Sequence, residues 1–515
     1  MSVWNFFLIT FGCKVNQYET QSLREAWQGL GGVECSSPAE ADVICVNSCA
    51  ITAKGERDAR NAVFRLRREA PDARLILTGC AARLFADYRP RPGATWAAPD
   101  LLVPQEHKDM LLQGPWGNDL PGPDSFGQMA GAAALATRPA QHEKTSPLSG
   151  SVPLLVPFHG VEQINPPKAE EHASSSMGTA TSAATASSFP SFNISTFKRA
   201  RPVLKVQDGC AHRCTYCIVP LTRGKPRSRP VEQVLAEARR LLESGHVEIM
   251  ISGINLGQYG RDAQTGDFWS LLRTLDAALA PEFAGQARFR ISSLEPGQLD
   301  ARALDILRHC RMLCPHLHIS LQHGSRNVLK KMGRGHYSPS MLEDAVKELS
   351  AHWPVMGLGA DIIAGFPGET EEDVRELLEL VARLPLGYAH VFPYSRRPGT
   401  AAERFEGQIP HALKLERAAR VRQAVALKQR EFLMAQMALP RMLLAADTSG
   451  SMRNGSQTGG KKIKGVNEYY AACFLRPRQA PPTEDVASAP PRAGLLPVRP
   501  VELTDKGLIV EPLEP

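Results

Sequence analysis

The sequence predicts an α/β protein in three folded parts. These are an N-terminal parallel-sheet α/β domain over residues 1–114, a partial (β/α)6 barrel over 198–435 and a small C-terminal β-barrel over 436–515, with a low-complexity insertion at 115–197. Three observations carry this reading. Short apolar runs alternate with helix-periodic segments in residues 1–112 and again in 199–435, the pattern of parallel strands joined by crossover helices. Residues 115–197 lose that periodicity and are rich in Gly, Pro, Ser, Ala and Thr. After residue 436 the apolar runs are short and separated by Gly, Ser and Pro, as in a small all-β domain.

In the first part, "NFFLITFG", "ADVICVNSC" and "ARLILTGC" read as strands, and "ETQSLREAWQGLG" and "AKGERDARNAVFRLRREAPDA" as the helices between them. The three strands run out at Cys13, Cys49 and Cys80. Function in an open α/β sheet gathers at the carboxyl ends of its strands, so three cysteines distant in sequence are placed to converge at one edge.

The insertion contains "GPWGNDLPGPDSFGQ" and "ASSSMGTATSAATASSFPSFN" and reads as a disordered linker. The barrel strands are "PVLKVQ", "VEIMISG", "ARFRISS", "HLHISL", "GLGADIIAG" and "GYAHVFP". The helix "PVEQVLAEARRLLESG" puts Val231, Val234, Leu235, Ala238, Leu241 and Leu242 on one face and closes at Gly245. In the tail, "RMLLAADTS", "YYAACFLRP" and "KGLIVEP" read as strands, "GSMRNGSQTGGKKIKG" as a long basic loop and "RPRQAPPTEDVASAPPRAG" as disordered.

Composition excludes several classes. With 43% hydrophobic and 22% charged residues the chain is neither a disordered polyampholyte nor a membrane protein, and no run approaches the roughly 18 apolar residues of a span. The N-terminus lacks the basic region of a signal peptide, so a cytoplasmic location is expected. Eleven cysteines, unevenly spaced, do not make a disulfide framework. The net charge of +7 is modest, but basic residues cluster at Arg57, Arg60, Arg65, Arg67 and Arg68, at Arg223, Lys225, Arg227 and Arg229, and at Lys461, Lys462 and Lys464. Such clusters suit phosphates, or form solvated surface.

The densest chemistry is in "VQDGCAHRCTYCIVPLTRGKPRSRP", where Cys210, Cys214 and Cys217 follow a C-x3-C-x2-C spacing just past the first barrel strand. A structural zinc site usually takes four ligands as two short-spaced pairs. No fourth cysteine follows, and His212 sits inside the loop, where it cannot readily close a tetrahedron. Three thiolates on an iron–sulfur cluster fit better and leave one iron open. A zinc-stabilised, non-catalytic RNA-binding protein is the remote alternative.

This spacing, with Tyr216 before the last cysteine, resembles the signature of radical S-adenosylmethionine (SAM) enzymes. In ordered succession with "TFGCKVNQYET", "VNSCAITAKGERDARNAV", "LTGCAAR", "RISSLEP", "HLHISLQHGSRNVLKKMGRGHY", "DIIAGFPGET" and "PYSRRPGTAA", it resembles the methylthiotransferase family over about residues 3–112 and 198–435. The resemblance implies an α/β domain, a radical SAM barrel and a TRAM-like RNA-binding barrel, the last degenerate here. It implies two [4Fe-4S] clusters, one on Cys13, Cys49 and Cys80, the other on Cys210, Cys214 and Cys217, the latter binding SAM. By resemblance, one SAM methylates a sulfur held at the first cluster, and a second yields the radical that activates the substrate carbon. Tyr216, Ser252 and Gly253 of "ISGIN", Glu295 and Gln322 are expected near SAM or substrate, and "GADIIAGFPGE" near adenine. His323 stands where the family often has serine.

The form "GCKVNQYE" resembles the branch that acts at C2 of N6-threonylcarbamoyladenosine beside the tRNA anticodon. Isopentenyladenosine in tRNA or a ribosomal-protein aspartate are the alternative substrates. The implied partners are a tRNA anticodon stem-loop, an electron-donor protein and a sulfur source, the last two unidentified, with no membrane. Of the other cysteines, Cys45 reads as core, Cys310 and Cys314 as sharing a helix face, and Cys35 and Cys473 as unpartnered. His316 and His318 read as packing or hydrogen-bonding residues.

Overall fold

A computed structural model describes residues 3–86, 99–115, 189–262, 266–447, 463–476 and 494–513. The first sheet holds β1 (Trp4–Thr10), β2 (Gly32–Glu34), β3 (Val43–Ser48), β4 (Arg74–Gly79) and β5 (Leu101–Val103), all parallel, in the order β2-β1-β3-β4-β5. The crossovers are α1 (Lys14–Gly29), α2 (Ala53–Glu69) and the short α3 (Ala82–Ala86). Central β3 is buried along its whole length, and its alternate residues feed two cores. Val43 and Cys45 join Trp4, Phe6, Tyr18 and Trp27, while Ile44 and Val46 join Val63, Leu66, Leu75 and Leu77. Thr52 caps α2 by accepting from the Gly55 amide, and Arg67 and Arg68 sit in its last turn, where cations offset the helix dipole.

The barrel is built from β6 (Val203–Lys205), β7 (Gln207–Asp208), β8 (Arg227–Ser228), β9 (Glu248–Ser252), β10 (Arg288–Ile291), β11 (Ser293–Leu294), β12 (His316–Gln322), β13 (Gly357–Ala364) and β14 (Leu386–Pro393). Its helices are α4 (Val219–Arg223), α5 (Val231–Glu243), α6 (Phe268–Phe283), α7 (Ala301–His309), α8 (Arg326–Lys331), α9 (Pro339–His352), α10 (Glu371–Arg383) and α11 (His411–Gln436). The strands pair in parallel as β10-β9-β6 and β11-β12-β13-β14, and an isolated parallel bridge joins Phe289 of β10 to Leu313, just ahead of β12. The strands β6, β9, β10, β12, β13 and β14 are the six expected from sequence, and β6 and β14 are left as the two open edges. The short β7 and β8 pair antiparallel and close the base of the loop that carries Cys210, Cys214 and Cys217.

The C-terminal strands β15 (Met442–Ala446), β16 (Lys464–Asn467), β17 (Ala472–Leu475), β18 (Leu496–Thr504) and β19 (Gly507–Pro512) close into a barrel ordered β15-β16-β17-β19-β18. This small barrel packs on the amino ends of the larger one. Glu248, the first residue of β9, holds Arg288 and Arg290 at 2.7–2.9 Å, and those arginines donate to the carbonyls of Leu443, Val466, Asn467 and Glu468.

The N-terminal domain spans the two open edges. From α1, Glu19 accepts from Lys205 of β6 at 2.6 Å. Past β14, Ser395 accepts from the Ala53 amide and Arg397 donates to Glu56 at 2.6 Å. The described residues thus form one compact unit.

Several expectations change here. Residues 189–197, grouped with the insertion by composition, are ordered, with Phe192, Ile194 and Phe197 buried; residues 116–188 lie outside the described residues. Cys310 caps the end of α7 while Cys314 lies beyond it, so the two do not share a helix face. Most of "GSMRNGSQTGGKKIKG", including Lys461 and Lys462, and residues 477–493 are likewise outside the described residues. Among the described residues no helix is long and apolar enough to cross a membrane.

Candidate active site

Cys13, Cys49 and Cys80 each follow the end of a strand, and β1, β3 and β4 are neighbours, so the three thiols meet at one sheet edge. Parallel strands lie about 4.8 Å apart, which sets the spacing of the three loops. Gly12, at φ +85°, brings the first loop so close that a Cβ there would stand 2.5 Å from Cys49 Sγ. Cys13 is exposed and Cys49 and Cys80 are buried. Burial pushes the Cys49 thiol up to about 12. Cys13 is also the N-cap residue of α1, with no side-chain cap on the first-turn amides, so the positive helix end faces the group. Arg223 adds a full charge: its Nε donates to Cys80 Sγ at 3.2 Å. Three thiols at one edge, one of them open, beside a helix N-terminus and a buried guanidinium, fit an anionic thiolate–iron group better than they fit three free thiols.

The rest of the "NQYE" stretch explains how this edge is fastened to the barrel. Asn16 donates to the carbonyls of Phe11 and Ser48 and accepts from Arg223 at 2.6 Å. Tyr18 donates to the Phe192 carbonyl and is held by Arg229 and Glu237. Glu19, fully buried, receives Lys108, Lys205 and Arg223, and although burial opposes its charge, those cations hold its carboxyl well below the usual range. Asp208 shares Lys205 and Arg223 with it. Arg223 and Arg229 are therefore buried structural cations, and the expectation that the 223–229 cluster meets phosphate fails for both: their charge is spent on carboxylates. Within it Lys225 stays exposed, as do Arg57 and Arg68 on α2 and Lys464 on β16. Arg60, Arg65 and Arg67 are paired with Glu56, Glu69 and Asp100.

Cys210, Cys214 and Cys217 lie on one tight loop. Gly209, at φ +72°, has no room for a Cβ, which would fall 1.9 Å from the Lys225 carbonyl. The Cys210 amide donates to the Gly224 carbonyl and the Cys217 amide to that of Cys214. The loop is docked by Thr215, which donates to the carbonyls of Met332 and Lys331. Burial pushes Cys217 up to about 12. Burial also works to raise Cys214, but the His212 side chain and Arg334 bring it below the ordinary thiol value. Cys210 accepts from the His212 amide at 3.4 Å. Burial raises Cys210 as well, so Cys214 is the one thiol of the three that its neighbours favour as thiolate; three thiols on one tight loop still suit an iron–sulfur cluster.

Glu295 stands at the centre of the groups beside this loop. It accepts from Asn255 at 3.1 Å and lies 3.2 Å from His212 Nδ1, 3.1 Å from His336 Nε2 and 3.3 Å from Arg334. Burial opposes its ionisation, yet these partners hold it down at about 2. Ser252 ends β9 buried, and a Cβ on Gly253 would press on Gln207, which accepts from the amides of Ile254 and Asn255. The Tyr216 hydroxyl accepts from Arg334 at 2.9 Å, and its ring packs on Phe366. Gln322 ends β12 at φ +65°, a strained setting for a buried non-glycine residue. His323 is fully buried, accepts from the Ser325 amide and faces Glu369 at 3.4 Å, a packing role. Asn255 belongs to the "ISGIN" stretch that the resemblance placed near SAM, and it lies on Glu295; sequence reasoning did not single out His336, Arg334 or the Glu19 network, because each acts through partners distant in the chain.

One wall of the barrel interior remains. His316 and His318 on β12 both lie 3.0 Å from the Tyr388 hydroxyl, and His318 Nε2 is 3.1 Å from Asp361 Oδ2. His390 of β14 packs 5.5 Å from the His318 ring. Lys14, next to Cys13, faces this wall, within electrostatic reach of Asp361, His316 and His390. The described site therefore opens from the Cys13 edge onto the barrel interior.

Comparison with known proteins agrees with this arrangement. Residues 204–381 match the Radical SAM superfamily and residues 5–88 match "Uncharacterized protein family UPF0004". The chain is 31% identical over 413 residues, 80% of its length, to 78% of the threonylcarbamoyladenosine tRNA methylthiotransferase MtaB of Bacillus subtilis. It is 33% identical to the MtaB of Thermotoga maritima, covering 79% of each chain. It is also 29% identical to the tRNA-2-methylthio-N(6)-dimethylallyladenosine synthase of Ruegeria pomeroyi, over 82% of this chain and 84% of that one. Two cysteine triads at one barrel, with relatives this similar over most of their length, place the chain in the radical SAM methylthiotransferase family, enzymes that use SAM and two [4Fe-4S] clusters.

Proposed function

We propose that this enzyme inserts a methylthio group at C2 of N6-threonylcarbamoyladenosine beside the anticodon of tRNA. In this reading Cys13, Cys49 and Cys80 hold one cluster, and Cys210, Cys214 and Cys217 hold the cluster that binds SAM. The observation that carries it is the pairing of two three-thiol sets around one barrel, each lacking a fourth protein ligand among the described residues. When bound, the clusters supply the electron that cleaves SAM and the place where sulfur waits.

The chain's own residues order the reactants. Glu295, fixed by Asn255 and Arg334, supplies a buried carboxylate next to the Cys210 loop for the cationic end of SAM. Ser252 and Gly253, at the carboxyl end of β9, offer backbone groups to its amino end, and the positive φ at Gln322 presents that side chain at the end of β12. The threonylcarbamoyl substrate is supported by the two MtaB relatives and by Lys14 at the site's mouth.

The test is anaerobic reconstitution, followed by incubation with SAM, dithionite, sulfide and tRNA bearing N6-threonylcarbamoyladenosine. Mass spectrometry of the nucleosides should show its 2-methylthio derivative. Product on tRNA bearing isopentenyladenosine alone would move the enzyme to the branch of the Ruegeria relative. Zinc in place of iron would overturn the assignment of the two triads.

A further inference from the structure

The wall of the barrel interior described above is polar where an apolar one would serve a different substrate. On alternate positions of β12, β13 and β14, facing the barrel interior, stand His316, His318, Asp361, Tyr388 and His390. Lys14, the first residue of α1, lies within electrostatic reach of Asp361 and His390. Its ammonium makes no hydrogen bond or ion pair with another described side chain. His390 is exposed, so the wall is open to an incoming group, and Phe392, 43% exposed, flanks it at 6.3 Å.

We infer that Lys14, Asp361, His318 and His390 form the subsite for the substituent on N6 of the target adenosine, with Lys14 taking a carboxylate and the other three taking adjacent hydroxyl and N–H groups. The inference rests on the threonylcarbamoyl reading above, since that substituent carries a carboxylate, a hydroxyl and ureido N–H groups. Asp361 does not repel it decisively. Its Oδ2 is engaged by His318, and behind Lys14 three arginines, Arg201, Arg288 and Arg290, gather around two carboxylates, Glu248 and Glu468, which leaves the local field positive. An isopentenyl group offers none of these side chains a partner. Seating it would desolvate an ammonium and a carboxylate without return, so the same residues that accept an acidic substituent exclude an apolar one.

The test uses the reconstituted holoenzyme and three anticodon stem-loop RNAs of one sequence, differing only at N6. One carries the threonylcarbamoyl group, one the same group with its carboxylate converted to carboxamide, and one isopentenyl. Kd is read by fluorescence anisotropy, and kcat and KM from the methylthio product. The wild-type enzyme should favour acid over amide by on the order of tenfold to a hundredfold in Kd and KM, the range for a hydrogen bond to a charged group. Lys14→Met should bring acid and amide within about twofold, with iron per chain measured on the same preparation. If that variant loses iron, Asp361→Asn and His390→Phe, on strands without cysteines, should weaken the threonylcarbamoyl RNA relative to the isopentenyl one. Equal handling of acid and amide by the wild-type enzyme, with both modified, overturns the subsite and leaves the proposed function standing. Modification of the isopentenyl RNA alone overturns the proposed function itself, and the subsite with it.

Discussion

Arg223 Nε donates to Cys80 Sγ across the junction between the barrel and the N-terminal domain, at 3.2 Å, and the same guanidinium bonds Glu19, Asp208 and Asn16. One buried cation therefore joins the first thiol triad to α1 and to β7, which leads into the loop of the second triad. Arg223→Met should leave Glu19 and Asp208 short of a partner and destabilise the fold by about 3–5 kcal/mol, as loss of one member of a buried ion group does. Urea denaturation reads this, and iron per chain should fall at the same time. Arg223→Lys should recover part of the stability but not the bond to sulfur.

Cys13→Ala should keep SAM cleavage and lose methylthio product, because the two triads stand on separate elements. Cys214→Ser should lose both. Liquid chromatography of 5′-deoxyadenosine and of modified nucleoside distinguishes the two variants. Wild-type product formation by Cys13→Ala would remove the first triad from sulfur delivery.

Gly12→Ala should displace Cys49, since the new Cβ would lie 2.5 Å from its sulfur and the backbone there has a positive φ. A loss of about 2 kcal/mol or more and of roughly half the bound iron is expected. Gly29→Ala is the control: nothing lies within 4 Å of its Cβ position at the end of α1, and the change should be neutral or stabilising by up to about 1 kcal/mol. Thermal melts of the two variants report the difference.

Glu248 predicts an acid limit to stability. Although burial opposes its charge, Arg290 and Arg288 hold its carboxyl down at about 2. Because the folded value lies below the unfolded one, its contribution is complete above about pH 4.5 and is lost as pH falls toward 2. The linked energy is about 3 kcal/mol. Denaturation midpoints of wild type and Glu248→Gln should differ most above pH 5 and converge near pH 2.

The cysteine triads were legible in sequence because thiol spacing and strand ends are local signals: Cys13, Cys49 and Cys80 could be placed from three apolar runs. The six barrel strands were legible for the same reason. The edge strands β2 and β5 were not, because each buries only one of its three residues, whereas the equally short β6 buries all three; β16, whose first residues sit in the stretch read as a basic loop, and the largely half-buried β18 were missed for the same want of an apolar run. Nor were the duties of Asn16, Tyr18 and Glu19 legible. Their partners Arg223, Glu237 and Lys205 lie more than 180 positions away, and only folding brings them within 3.1 Å. The basic stretch 223–229 misled for a physical reason: a charge count cannot tell a cation facing phosphate from one facing a buried carboxylate.

The chain leaves the first domain and returns to it along one helix. Trp27 Nε1 donates to the Leu111 carbonyl at 2.6 Å, and Tyr18 donates to the Phe192 carbonyl at 2.9 Å. These two anchors are nine residues apart on α1, about 14 Å of helix. Between Leu111 and Phe192 the two anchors hold a fixed doorway through which the chain leaves and re-enters the domain. The doorway is thus a natural graft point: a fluorescent or affinity module spliced there would ride on the helix that begins at Cys13 and report on it, while the sheet and the barrel keep their own connections.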